Sequence, residues 1–220
     1  MTNPTIRRLR VRLRFAVAAT FLLASSAAAE SEFERTASLL GLAPGMTVAE
    51  IGAGDGDFTV ELARRVGPEG RVYATEIESE KRDQSAAEAR EAGLANVQVL
   101  EAKLASTGLP EGCCRAVFMR HVYHHLTDPA ALDRDLLRAL EPGGLLVIVD
   151  FPPTWYLVPF APEGVGEERT EHGIEIDAAL RELVAAGFET VRVIEDWDTG
   201  WLGPDSYALV LRKPSADRAP

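Results

Sequence analysis

The stretch Glu50-Ile51-Gly52-Ala53-Gly54-Asp55-Gly56-Asp57-Phe58 concentrates the residue types that hold a ligand against bare backbone. Glycines at alternate positions let a ligand lie close to the main chain, and Glu50, Asp55 and Asp57 surround them with negative charge. A dinucleotide fingerprint reads G-x-G-x-x-G, whose third glycine would fall at position 57. Asp57 stands there instead, so a feature of close helix-to-strand packing is missing and a pyrophosphate is disfavoured. The same acids favour a cofactor that bears an amino group and a sulfonium cation over one that bears phosphates. Glu76 follows Gly52 by 24 residues, about where an acid takes both hydroxyls of a ribose in such a site. Its competing reading is a solvated surface glutamate.

A second group of chemical side chains is Arg120-His121-Val122-Tyr123-His124-His125. If extended, this segment puts His121, Tyr123 and His125 on one face and Val122 and His124 on the other, whereas a turn redistributes them. Three histidines in five residues raise the question of a metal. Ligands on one short segment seldom converge, and no cysteine or carboxylate follows at partner spacing, so no metal site is expected. Asp150 and His172 are further polar candidates for proton transfer, His172 having a helix-capping role as its alternative. Trp155, Tyr156 and Phe160 offer aromatic surface to a small acceptor, to a membrane or to the core beneath them.

These residues need elements to position them, and the chain from residue 37 alternates β-rich runs with helical stretches, the signature of a parallel sheet covered on both faces. A short helix over 33–40 precedes a strand at 47–51, a helix over 58–66, a strand at 71–75, a helix over 79–92 and a strand at 97–100. A strand at 116–120 follows, then a helix over 129–140 with Pro129 in its first turn, and a strand at 145–149 whose run LLVIV reads as doubly buried. The stretch 151–173 has no period and holds four prolines, which predicts a lid or substrate loop. A helix over 176–186 and runs at 190–195 and 206–212 complete the fold, the last two as an antiparallel edge hairpin. In such an open sheet the glycine segment and Glu76 both fall at carboxyl ends of strands, where ligands bind.

With these motifs placed, the chain resembles the class I S-adenosylmethionine-dependent methyltransferases. VAEIGAGDGDFT looks like their first motif, Glu76 like their ribose acid, GLPEGCCRAVFMRHVYHHL like their fourth-strand region and LEPGGLLVIVDF like their fifth, over roughly residues 36–212. The resemblance implies a doubly wound, Rossmann-like α/β fold with S-adenosyl-L-methionine as cofactor and methyl transfer to a small-molecule acceptor. It implies that Glu50 and Gly52, Ala53, Gly54, Asp55 and Gly56 approach the methionine part, Glu76 the ribose, Ile77 the adenine, and Arg120 and His121 the methyl-bearing side. Catalytic candidates are then His121, Tyr123, Asp150 and His172. One position departs from the pattern. Where the family commonly has an aspartate that accepts from the adenine amino group, LEAKLASTGLP offers Lys103, which has no acceptor. Glu101, Ser106 or a backbone carbonyl substitutes for it, or adenine is held by packing on Ile77 and Leu104. The runner-up reading is a protein that binds an adenosyl ligand without turnover, and a nicotinamide oxidoreductase ranks below that.

Composition bounds the rest. Residues 1–29 contain no acid and carry Arg7, Arg8, Arg10, Arg12 and Arg14 ahead of the apolar run FAVAATFLLASSAAA, a signal-peptide layout with cleavage expected between Ala29 and Glu30. The expected organisation is a leader at 1–29, one domain at 30–214 and a disordered tail at 215–220, with export to the periplasm, or membrane anchoring if the leader is retained. Without the five leader arginines, 18 basic side chains face 34 acidic ones, a formal charge of −16 that disfavours nucleic-acid binding. Cys113 and Cys114 are expected as unpaired small residues, because chain neighbours bridge only in strained geometry.

Overall fold

The computed structural model describes residues 30–153, 169–170, 173–198 and 205–215. The expected leader at 1–29, the aromatic residues Trp155, Tyr156 and Phe160, the candidate His172 and residues 216–220 lie outside the described residues.

Helix α1 (Glu32–Leu40) leads into β1 (Thr47–Ile51), α2 (Asp57–Val66), β2 (Arg71–Glu76), α3 (Ser79–Glu91) and β3 (Val97–Glu101). β4 (Cys114–Arg120), a 3₁₀ turn at Tyr123–His125, α4 (Pro129–Ala139) and β5 (Leu140–Asp150) follow. The ribbon β6 (Arg169–Thr170) and β7 (Gly173–Ile174), which sequence periodicity does not predict, precedes α5 (Ile176–Ala186), β8 (Glu189–Asp198) and β9 (Ser206–Arg212). The main sheet runs β3-β2-β1-β4-β5-β9-β8, parallel through β5 and antiparallel at β9 and β8. This is the doubly wound fold expected, with β9 placed inside the sheet and β8 at its edge.

Local signals set the helix ends. Ser31 caps α1 by accepting from the Glu34 N–H at 3.2 Å, and Asp128 caps α4 by accepting from Ala131 at 3.1 Å, with Pro129 in the first turn. Strand side chains alternate between two cores. Val48, Val72, Phe118, Val147 and Val149 pack with Leu40 of α1 and Leu62 and Val66 of α2, while Ala49, Ile51, Val117, Met119 and Ile148 pack with Leu132 and Leu136 of α4 and Leu183 of α5. Truncating a fully buried leucine such as Leu62 or Leu136 to alanine costs about 2 to 5 kcal/mol. Cys113 and Cys114 are not the separate thiols expected from sequence: a disulfide joins them at the start of β4.

The strand order reverses between β1 and β4, so the carboxyl ends of β2, β1, β4 and β5 surround the switch point where an open α/β sheet receives its ligand.

Candidate cofactor and acceptor site

Gly52 leaves β1 at φ 71°, and its N–H and that of Ala53 donate to the Thr75 carbonyl at 2.8 and 3.0 Å. A side chain here would be strained and would overlap its neighbour, because a Cβ on Gly52 falls 2.5 Å from Val122 Cγ2. Gly56, at φ 98°, precedes α2, and a Cβ there would lie 2.9 Å from Ser85 Cα of α3. The two glycines therefore seat the loop against β4 and α3, which gives the G-x-G-x-G spacing a steric cause.

Glu76, at the end of β2, is buried, and the loop holds it from below. Its Oε2 accepts from the Gly54 N–H at 3.1 Å, and its Oε1 accepts from the Ile77 and Glu78 N–H groups at 2.7 and 3.2 Å. These bonds orient the carboxylate and leave Oε2 a lone pair toward the cavity, which suits a ribose hydroxyl. Arg82 of α3 donates to the Glu76 and Ile77 carbonyls and ties the same corner from behind.

A cavity of about 430 Å³ opens here, lined by Gly52, Glu76, Ile77, Leu104, His121 and Val122, among others. Ile77 and Leu104 are 51% and 60% exposed, unusual for large apolar side chains and suited to the two faces of a planar ring. Lys103 also lines it, its backbone closed in a reciprocal pair with Ser106 at 2.8 and 3.1 Å, so no carboxylate stands at the position that departs from the family pattern. Thr107 is held from behind, with its N–H and hydroxyl both 2.7 Å from Asp135 Oδ2 of α4.

The histidine segment is a turn. His121 adopts φ 55° while its N–H donates to the Val149 carbonyl at 2.8 Å, and this left-handed backbone at a non-glycine residue swings the chain off β4. His121 and His125 line the cavity with Val122 and Leu126. Burial pushes the His121 imidazole below its ordinary pKa, with the Arg120 guanidinium acting in the same direction and Asp150 opposing it. His121 at the cavity is thus biased toward the neutral form that accepts a proton.

Four of the residues expected at the site stand elsewhere. Tyr123 is fully buried, its hydroxyl 2.9 Å from Asp133 Oδ2 and 3.1 Å from Glu182 Oε2, so it belongs to the core between α4 and α5 and is not among the residues that line the cavity. One hydroxyl hydrogen cannot serve both carboxylates at once, and burial lifts Asp133 to about 7 so that it keeps a proton near neutrality. Arg169 completes this cluster, donating to Glu182 and to the Tyr123 carbonyl. Asp150 is also fully buried. It contacts His124 Nδ1 at 2.7 Å and accepts from the His124 N–H at 3.1 Å and the Phe151 N–H at 2.9 Å, so it positions the turn.

Glu50 points away from the cavity into α2, where it accepts from Thr59 Oγ1 at 2.5 Å; burial raises its pKa to about 8. Arg120 faces that same side, its guanidinium 4.6 Å over the Phe58 ring and 3.2 Å from Glu32 Oε2. Even-numbered residues of β1 and β4 face α1 and α2, which explains both placements. Val122 and Thr107 line the cavity without having been expected there, whereas His124 is buried against Asp150. Val122 is the partner of Gly52, a contact between residues 70 apart that no local pattern announces.

Comparison with known proteins agrees with this geometry. Residues 49–148 match the family described as a methyltransferase domain. A ubiquinone/menaquinone biosynthesis C-methyltransferase, UbiE, of Vibrio cholerae is 27% identical over 112 residues, covering 50% of this chain and 43% of that protein. The chain thus spans less than half the length of that relative. An S-adenosylmethionine-dependent methyltransferase of Aquifex aeolicus superposes with TM-score 0.66 at 26% identity, over 82% of this chain and 88% of that one. The [4+2]-cyclase SpnF shares the fold at TM-score 0.68 and 18% identity, over 84% and 81% of the two chains. A glycine cradle that a Cβ would fill, an oriented acid with a free lone pair and two exposed apolar walls fit S-adenosylmethionine, in keeping with the methyltransferase-domain match over residues 49–148 and the likeness to an S-adenosylmethionine-dependent methyltransferase structure.

Proposed function

We propose that the protein transfers a methyl group from S-adenosylmethionine to a small aromatic or conjugated acceptor that must lose a proton as it reacts, and that it does so after export. One observation carries the reading: the same cavity is lined by Glu76, Ile77 and Leu104 and by His121. When bound, S-adenosylmethionine supplies an already activated methyl group, so the chain has mainly to align the acceptor and exclude water. His121, exposed at the cavity yet biased toward its neutral form, takes the acceptor proton. Phe151, whose ring centroid lies 5.2 Å from that of His121, gives the acceptor side an apolar wall. The relatives named as C-methyltransferases support a carbon acceptor, and the arginine-rich, acid-free leader supports export.

Calorimetric titration with S-adenosylmethionine tests the cofactor half. Saturable binding is expected, weakened by about tenfold to a hundredfold in Glu76→Ala, since a bond to a charged group contributes about 1.5 to 3 kcal/mol. Absence of binding by folded protein overturns the reading. The acceptor half is tested by transfer of labelled methyl to phenols and quinols: His121→Ala is expected to lose turnover and keep cofactor affinity. Export is tested by sequencing the amino terminus of protein recovered from the periplasm, expected to begin at Glu30.

A further inference from the structure

At the end of the sheet opposite the cofactor cavity, Cys113 immediately precedes β4 and Cys114 begins it, and their sulfurs are joined. Six residues of strand separate this pair from His121, roughly 20 Å at the rise of an extended chain. The two cysteines differ in environment. Cys114 is fully buried among Leu136, Ala139 and Leu140, whereas Cys113 is partly exposed and lines a second cavity of about 950 Å³ with Tyr73, Gln98, Arg64 and Arg71. Glu69 is the acid on that lining. Adjacency fixes the Cα atoms 3.8 Å apart, short of the 4.4 to 6.8 Å usual for disulfides, and bridges outside the usual span are the more readily reduced.

We infer that Cys113–Cys114 is a reversible two-electron redox site that exchanges with small thiols through the cavity at the amino end of the sheet. The chemistry is asymmetric. A thiolate of an incoming dithiol attacks Cys113 Sγ, the sulfur that the cavity reaches, and the Sγ–Sγ bond breaks with Cys114 leaving and taking up a proton. The dithiol's second thiolate then attacks the mixed disulfide, releasing Cys113 as a thiol and the reductant as a cyclic disulfide. Glutathione disulfide runs the reverse reaction: two protein thiols lose two electrons and two protons, and two molecules of glutathione form. Arg64 and Arg71 attract the anionic thiolate or the carboxylates of such a peptide. A bridge serving only to hold the fold has no need of one sulfur at a cavity wall, and one between chain neighbours closes no loop to stabilise.

Mass spectrometry of the full chain after alkylation with iodoacetamide under denaturing conditions tests this without reference to the cofactor. Protein purified without reductant is expected to take no alkyl group, to take two after treatment with dithiothreitol, and to lose both again once the native reduced protein has met glutathione disulfide. In Cys114→Ser, Cys113 is expected to gain one glutathione while native; in Cys113→Ser, the buried Cys114 is expected to gain none. Two alkyl groups that persist after glutathione disulfide overturn the proposal, as does equal glutathionylation of the two variants. If either variant fails to fold, the wild-type pattern decides alone. Because no readout involves S-adenosylmethionine, this outcome is independent of the proposed methyl transfer.

Discussion

The β1–β2 corner and the β4–β5 corner meet the same cavity but are built differently. At the first, backbone does the work: the Gly54, Ile77 and Glu78 N–H groups orient Glu76, and glycines make room. At the second, buried side chains do it: Asp150 holds His124 and Phe151, and the cluster of Tyr123, Asp133, Glu182 and Arg169 braces the turn from beneath. A backbone-made corner tolerates no added atoms. A corner braced by buried acids tolerates substitutions of similar size yet answers to charge and to pH.

Substitutions at each corner sharpen that contrast. The largest effect is expected from Gly52→Val, which combines a left-handed backbone with overlap at Val122 and should abolish calorimetric cofactor binding. Asp150→Ala should cost about 2 to 4 kcal/mol in urea unfolding, because it strands buried donors of His124 and Phe151, while cofactor affinity in the folded fraction holds. If Asp150→Ala instead removed cofactor binding with stability intact, the contrast between the corners would fail.

Glu50 crosses the division, being a buried acid beneath the backbone-made corner. Its folded pKa is raised from 4.5 to about 8, so between those values the native state binds more protons than the unfolded chain. Stability from this group is present below pH 4.5 and is lost as pH rises toward 8, by up to about 1.4 kcal/mol per pH unit. Glu50→Gln should flatten that part of the stability profile, read as the difference between wild-type and variant melts across pH. Asp133 adds a slope of the same sign to both proteins, which the difference removes. Tyr123→Phe is smaller, about 1 kcal/mol for one lost hydrogen bond, measured by urea unfolding with cofactor affinity unchanged. Smallest is Lys103→Asp. Restoring an acceptor beside Ile77 and Leu104 should tighten cofactor binding about fivefold, about 1 kcal/mol, by calorimetry.

The same contrast explains what could be read from residues alone. The fold and the first corner rest on local signals: strand-helix alternation, glycines at alternate positions, and an acid at the end of β2. Element ends moved by a few residues, most at β5, which begins at Leu140 because its start pairs with Cys114 before the register shifts at Ala116. The second corner depends on pairings far apart in sequence, His124 with Asp150 across 26 residues and Tyr123 with Glu182 across 59. Tyr123 and Asp150 were therefore legible as important polar residues but not as buried supports. His121 turns on a backbone torsion that residue type disfavours, and exposure at Ile77 and Leu104 appears only once the loops are folded.

The position of β9 has a consequence for how the molecule comes into being. It is the last of the described strands in chain order, yet it is hydrogen-bonded to β5 on one side and β8 on the other. Until residues 206–212 leave the ribosome, β5 presents an open edge and β8 has no neighbour. Closure of the sheet is thus a late, long-range event in the life of the nascent chain. A chain whose last described strand locks its middle remains unlocked for most of its synthesis.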